Sequence, residues 1–196
     1  MKRIIVGITG ASGVIYGIRL LQALGAHQVE SHLILSRIAR QNIEIETGLT
    51  PEEVEKMACH VHRVDDLAAP VSSGSFRTDG MVVVPCTIKT LSGIANSYAE
   101  NLLIRAADVV LKEKRRLILV VRETPLHRGH LELMMKAADL GAVILPPVPA
   151  FYSAPRSLDD IVNHTVGKML DLLEVDHDLF RRWGDREGPG AGPEKP

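Results

Sequence analysis

With 196 residues, 45% of them hydrophobic, and a formal net charge of −1, the chain can bury one substantial core and lacks the basic excess of a nucleic-acid binder. No apolar run approaches the roughly 20 residues of a membrane-spanning helix, and the N-terminus enters a strand without a signal-peptide pattern, so neither nucleic acid nor membrane is an expected partner and the expected location is the cytoplasm. The two cysteines, Cys59 and Cys86, form no disulfide framework and read as reduced thiols.

The chain opens with an apolar strand from Arg3 that ends in a turn carrying Gly10, Ala11, Ser12 and Gly13. A helix over Val14–Leu24 has apolar positions at helical spacing, and Gly25 ends it. Val29–Leu35 reads as the second strand. Thr50, Pro51 and Glu53 spell a helix start, with Thr50 as cap, proline at the first helical position and Glu53 reaching back. His60–Val64 reads as a third strand, and Asp65–Gly80, with Pro70, Gly74 and several serines, as an irregular connection long enough to suggest function. Met81–Val84 is a buried strand leading into Pro85–Thr90. Leu102–Glu113 is helical, Leu117–Val121 a strand, and Leu131, Met134, Met135 and Ala138 mark one apolar face of the next helix. Ala142–Leu145 is the last strand, and after a proline-rich turn Leu158–Leu173 is helical, with Ile161, Thr165, Met169 and Leu172 on one face. Continuous apolar strands alternating with helices predict a parallel sheet covered on both faces, an α/β single-domain Rossmann-like (flavodoxin-like) fold. The domain spans 1–186, and 187–196, rich in Gly, Pro and charge, reads as a flexible tail.

Two strand ends in this pattern deliver backbone N–H groups to a helix start, where phosphate is held. The first is the Gly10–Gly13 turn; the second carries Thr87, Ile88, Lys89 and Thr90. The glycines at 7, 10 and 13 match neither the dinucleotide fingerprint nor a P-loop, and Ser36 stands at the second strand's end where a dinucleotide fold places an acid, so a mononucleotide such as FMN fits better. The same glycines also serve a tight turn and close packing, while Ser12, Ser36 and Thr87 can cap helices. Arg105, Asp108 and Lys112 share one helix stripe, which reads either as an anion-binding group or as a solvated ion-pair face. Arg122 and Glu123 leave a buried strand at its carboxyl end, the edge where open α/β sheets bind ligands. Phe151, Tyr152, Phe180 and Trp183 gather in the last quarter, suited to a flavin ring, an allyl group or core filling. The pairs His60/His62 and His127/His130 lack a His-Glu-x-x-His helix or any completing ligand spacing, so no metal site is assigned.

Read together, Thr9–Gly13, Ser72–Phe76, Pro85–Thr90, Arg105–Val109, Arg122–Leu126, Pro149–Tyr152 and Arg182–Gly184 resemble, in order, the UbiX-type flavin prenyltransferases, a family within a flavoprotein group that includes cysteine decarboxylases. The resemblance covers Arg3 to Trp183. It implies an enzyme that joins the prenyl group of dimethylallyl phosphate to reduced FMN without a metal, giving prenylated FMN for a UbiD-type partner decarboxylase. It further implies a homo-oligomer, commonly a dodecamer, with sites where subunits meet. By the same resemblance Gly10, Ala11, Ser12, Ser36, Thr87, Ile88, Lys89, Thr90 and Arg122 bind FMN, and Arg105, Lys112, Tyr152 and Lys168 bind the prenyl phosphate. Ser12, Glu46, Glu123, Lys112 and Trp183 are the catalytic set, with Glu123 or the departing phosphate taking the proton lost on ring closure and Trp183 shielding a cation-like allyl fragment. Lys168 departs from the family's usual arginine, keeping the charge but not the bidentate geometry. The alternatives are a flavin-dependent cysteine decarboxylase, against which the missing Pro-x-Met-Asn motif counts, and a flavin-storage protein without catalysis.

Overall fold

The structure is a computed structural model, and it describes residues 1–182 and 184. The chain alternates strand and helix as β1 (Arg3–Ile8), α1 (Val14–Ala26), β2 (Glu30–Leu35), α2 (Arg37–Thr47), α3 (Pro51–Glu55), β3 (His60–His62), β4 (Gly80–Cys86), α4 (Ile88–Ala95), α5 (Leu102–Lys112), β5 (Arg116–Val121), α6 (Arg128–Asp139), β6 (Val143–Ile144) and α7 (Leu158–Leu172). The six strands form one sheet in the order β3-β2-β1-β4-β5-β6, and every pair is parallel. Without the three-residue edge strand β3 the order is that of flavodoxin; with it, the order is that of the doubly wound dinucleotide folds.

The apolar strands are continuous because each feeds two cores. Ile4, Val6 and Ile8 of β1, with Val82, Val84, Ile118 and Val120, pack under α1 and α7. The intervening Ile5, Met81, Val83, Leu117 and Leu119 pack under α4 and α5. Alternate side chains point to opposite faces, so a strand covered on both sides carries no polar period.

The helices depart from the sequence pattern in two places. The helix α2 has no counterpart in the predicted elements, because only Ala39 and Ile43 of its residues are buried and Ile45 is 80% exposed, leaving almost no apolar period. Its ends are nevertheless conventional: Ser36 Oγ accepts from Ala39 N at 3.1 Å, and Gly48 closes it in the left-handed conformation. In α6, of the predicted face of Leu131, Met134, Met135 and Ala138, only Met134 packs against the core. Ala137 is the buried residue, with Leu133 and Met134 packed beside it, while Leu131 and Met135 are exposed. Smaller differences are at ends: α1 runs through Gly25 to Ala26, β3 stops at His62, and β6 is reduced to Val143–Ile144. The Thr50–Glu53 capping box forms as predicted. Leu158–Leu172 is helical, with Thr165 and Met169 buried.

Candidate functional site

After β3 the chain crosses to the other side of β1, so β1 and β4, neighbours in the sheet, send their following loops apart and open a crevice at their carboxyl ends. Thr9, 2% exposed, staples the two loops together. Its hydroxyl donates to the Pro85 carbonyl at 2.7 Å and accepts from Thr87 N at 2.9 Å, while its own N–H reaches Pro85 O at 3.2 Å. Arg122 N donates to Cys86 O at 3.1 Å, tying the β5 exit to the same edge.

Each loop then meets a helix. Gly13 caps α1 at φ 100°, a left-handed conformation that a side chain would strain. The α1 amino end is held from outside: Glu46 Oε2 accepts from Gly13 N at 2.8 Å and from Val14 N at 3.1 Å, a carboxylate placed against the positive helix end. Ser12 does not cap α1; it is exposed in the turn. Asn42 of α2 donates to the carbonyls of Gly10 and Ala11 at 3.1 and 3.4 Å, fixing the turn by its oxygens, while the Gly13 N–H is the one that Glu46 takes. Thr87 caps α4, accepting from Thr90 N at 3.1 Å and donating to Thr90 Oγ1 at 3.0 Å. The N–H groups of Ile88 and Lys89, in the first turn, find no acceptor among the described residues. Lys89 turns to Glu100 at 2.9 Å. Burial pushes the Cys86 thiol up to about 12, so it is a core atom rather than a nucleophile.

Gly10, Ala11, Ser12, Ser36, Glu46, Thr87, Ile88, Lys89, Thr90, Arg122 and Glu123 therefore gather on one edge. Ser36 N bonds Ile8 O at 3.0 Å, which puts the α2 cap beside the β1 exit. Arg122 and Glu123 are exposed, with Glu123 Oε1 accepting from Thr124 N at 3.0 Å.

The remaining predicted residues are elsewhere in the chain. Arg105 Nε donates to Ser72 O at 3.2 Å and its NH1 to Asp108 at 3.0 Å. Lys112 ends α5 just before Arg116 opens β5, pairs with Glu113, and so lies toward the amino edge of the sheet. Neighbouring Arg115 confirms that position by donating to Gly74 O and Phe76 O at 2.8 and 2.9 Å, in the connection that Arg3 at the start of β1 also holds. Tyr152 sits in a 3-10 turn, and its hydroxyl meets Nε2 of buried His164 at 3.1 Å. Lys168, one turn further along α7, pairs with Asp171 at 3.3 Å. Burial alone would raise the Asp171 carboxyl; Arg182 and Lys168 hold it below its usual range instead. The end of α7 also reaches the amino edge, where Lys2 Nζ donates to Leu173 O at 2.7 Å. Trp183 and the 187–196 segment lie outside the described residues. Sequence reasoning missed Thr9 and Asn42 as site-builders; the signal for Asn42 was the Ser36 to Gly48 cap pair around an unrecognised helix.

A crevice at the switch point of a doubly wound sheet, with free N–H groups at one helix start and no acid at the ribose position, defines a mononucleotide-binding α/β protein. The flavoprotein family profile matches residues 1–170. The flavin prenyltransferase UbiX of Escherichia coli K12 is 59% identical over 186 residues, covering 93% of this chain and 98% of the relative. A UbiX crystallised in complex with FMN and dimethylallyl pyrophosphate superposes with a TM-score of 0.93 at 50% identity, covering 95% and 99% of the two chains. A dodecameric FMN-dependent UbiX-like decarboxylase from Escherichia coli O157:H7 superposes at 0.90, also at 50% identity, covering 92% and 98%. The chain belongs to the UbiX flavin prenyltransferases of the flavoprotein family.

Proposed function

We propose that the chain joins the dimethylallyl group of dimethylallyl phosphate to reduced FMN at the carboxyl edge of its sheet, releasing phosphate and giving prenylated FMN. The observation that carries this reading is the Thr9-stapled crevice, where a helix start with free N–H groups on Ile88 and Lys89 stands beside the Gly10–Ser12 turn. These donors suit the FMN phosphate, and Ser36, Thr87, Thr90 and Arg122 complete the mononucleotide site. Reduced FMN, when bound, supplies the electron-rich ring that accepts the prenyl group.

The protein's contribution is to hold charge and move a proton. Arg105, Lys112, Tyr152 and Lys168 grip the prenyl phosphate and stabilise the charge that grows on it as the allylic carbon–oxygen bond breaks. This requires no metal. Glu123, exposed at the β5 exit, takes the proton lost on ring closure, and Ser12 and Glu46 orient the reacting face. Trp183 shields the allyl fragment. Lys112 at the end of α5 and Lys168 in the second half of α7 sit toward the amino edge, away from the switch point of the same chain, so a complete site draws these two lysines from neighbouring copies in a homo-oligomer, a dodecamer as in the bacterial relative. Among the described residues no helix is long and apolar enough to cross a membrane. The protein works in the cytoplasm, as one domain over 1–186 with a tail at 187–196, and passes its product to a UbiD-type decarboxylase.

Anaerobic incubation with reduced FMN and dimethylallyl phosphate, then mass spectrometry of the released flavin, tests the reading. One added prenyl unit with ring closure is expected. Unchanged, tightly bound FMN refutes it and turns attention to thiol and acid substrates. Parallel reactions with the pyrophosphate establish which donor is used.

A further inference from the structure

At one side of the sheet, β2 and β3 bring together four side chains that the flavin reaction does not use. Parallel pairing sets His60 beside His32, and Glu30 lies two residues earlier on the same face of β2. Glu30 Oε1 is 3.0 Å from His32 Nε2 and 3.5 Å from His60 Nε2, and one ligand atom from each residue lies within 4.8 Å of the others. A tetrahedral ion with bonds near 2.0–2.1 Å keeps its ligands about 3.3 Å apart, so these three meet one once the exposed His60 ring turns out of its stack on His32 and aims its Nε2 at the shared point.

We propose that Glu30, His32 and His60 form a binding site for one late first-row divalent cation of the zinc type. Two imidazoles and a carboxylate suit that class and disfavour calcium and magnesium, which take oxygen ligands. The ring of His32 is already oriented: it is buried, meets the edge of Phe76 at 5.2 Å, and its Nδ1 contacts His62 Nε2 at 2.9 Å. A partner on the outer ring nitrogen is what fixes a ligating histidine. His60, half exposed on the edge strand, leaves the fourth position to water.

Protons balance between the two states. Without metal, His62 Nε2–H donates to His32 Nδ1, and His32 Nε2–H donates to Glu30. With metal, His32 carries its proton on Nδ1 and donates to His62 Nε2, His62 carries its proton on Nδ1, and His32 Nε2 is free to ligate. No net proton is released. Arg3 donates to the same Glu30 oxygen at 2.9 Å, and loading moves that contact to the second carboxylate oxygen. The bound ion would pin the three-residue strand β3 to the sheet.

The test uses untagged protein, stripped with chelator and titrated with Zn²⁺ and Co²⁺. One equivalent of zinc per chain, a visible tetrahedral Co²⁺ band and a zinc-dependent rise in melting temperature are expected. His60→Asn, at an exposed edge position, should weaken zinc binding by more than about 100-fold while still binding FMN, and His62→Gln by about 10–100-fold. Replacing His127 and His130 together by asparagine should leave uptake unchanged. Absence of stoichiometric uptake by the wild type, retention of wild-type affinity in His60→Asn, or loss of uptake in the His127/His130 variant overturns the proposal. The wild-type Co²⁺ spectrum decides independently of how any variant folds.

Discussion

Thr9→Val isolates the staple that builds the flavin crevice. Valine keeps the shape of the side chain and removes only the hydroxyl, whose two hydrogen bonds, to Pro85 O and from Thr87 N, join the loops after β1 and β4. Pro85 O keeps the Thr9 N–H at 3.2 Å, so the Thr87 N–H is the group left without a partner. An orphaned donor in a part-buried site costs about 1–3 kcal/mol. At roughly 2–4 °C per kcal/mol for a chain of this size, the central value of ~2 kcal/mol lowers the melting temperature by about 4–8 °C. Because Thr87 is also the α4 cap, FMN affinity should fall by about tenfold, the equivalent of ~1.4 kcal/mol. Thermal melts by circular dichroism at fixed protein concentration, with flavin fluorescence titrations, measure both effects. Thr9→Ser keeps both hydrogen bonds and should lose only about 1 kcal/mol with its methyl group. If Thr9→Val melts within about 1 °C of the wild type and binds FMN as tightly, the staple argument is wrong.

The pairing of Arg3 with Glu30 holds that carboxyl down to about 2 from an ordinary 4.5, so its contribution to stability is full above pH 4.5 and lost as pH falls toward 2. In metal-free protein Glu30→Gln should therefore be less stable than the wild type at pH 7, and urea titrations should show the gap closing across that acid range; a gap independent of pH would refute the assignment. Native protein treated with iodoacetamide at pH 8 should take one adduct per chain, at exposed Cys59 and not at buried Cys86, and intact mass would reveal a second adduct if the thiol were accessible. Gly17→Ala would place a methyl 2.6 Å from the Val84 carbonyl oxygen and 2.8 Å from Ile8 Cδ1, where α1 crosses the sheet, and should cost about 1–3 kcal/mol in urea unfolding; an unchanged midpoint would contradict this packing. Finally, if each site takes Lys112 and Arg122 from different copies, as proposed, Lys112→Ala and Arg122→Ala should each be inactive alone, yet an equal mixture refolded together should regain about a quarter of wild-type activity. No recovery in mixed oligomers would mean that one chain supplies both.

By itself the sequence determined the sheet and its ligand edge. Uninterrupted apolar strands such as Met81–Val84 can be stable only when both faces are covered, so they require a parallel, helix-flanked sheet. Local chemistry also decided the caps at Thr50 and Thr87 and the Gly10–Gly13 turn, because each depends on residues within a few positions of itself. Tertiary structure decided what depends on distant partners. The helix α2 forms around two buried residues and then supplies Asn42 and Glu46 to a turn more than 30 residues earlier, through contacts that no periodicity encodes. The Glu30, His32 and His60 cluster exists only because strand pairing sets His32 and His60, 28 positions apart, side by side. The exposed Leu131 and Met135 of α6 show the converse: an apolar stripe fixes that a helix forms, while the neighbouring elements choose which side of it is buried. The wide spacing of Lys112, Lys168 and the switch point follows from the lengths and directions of α5 and α7, which the sequence specifies only through the fold it produces.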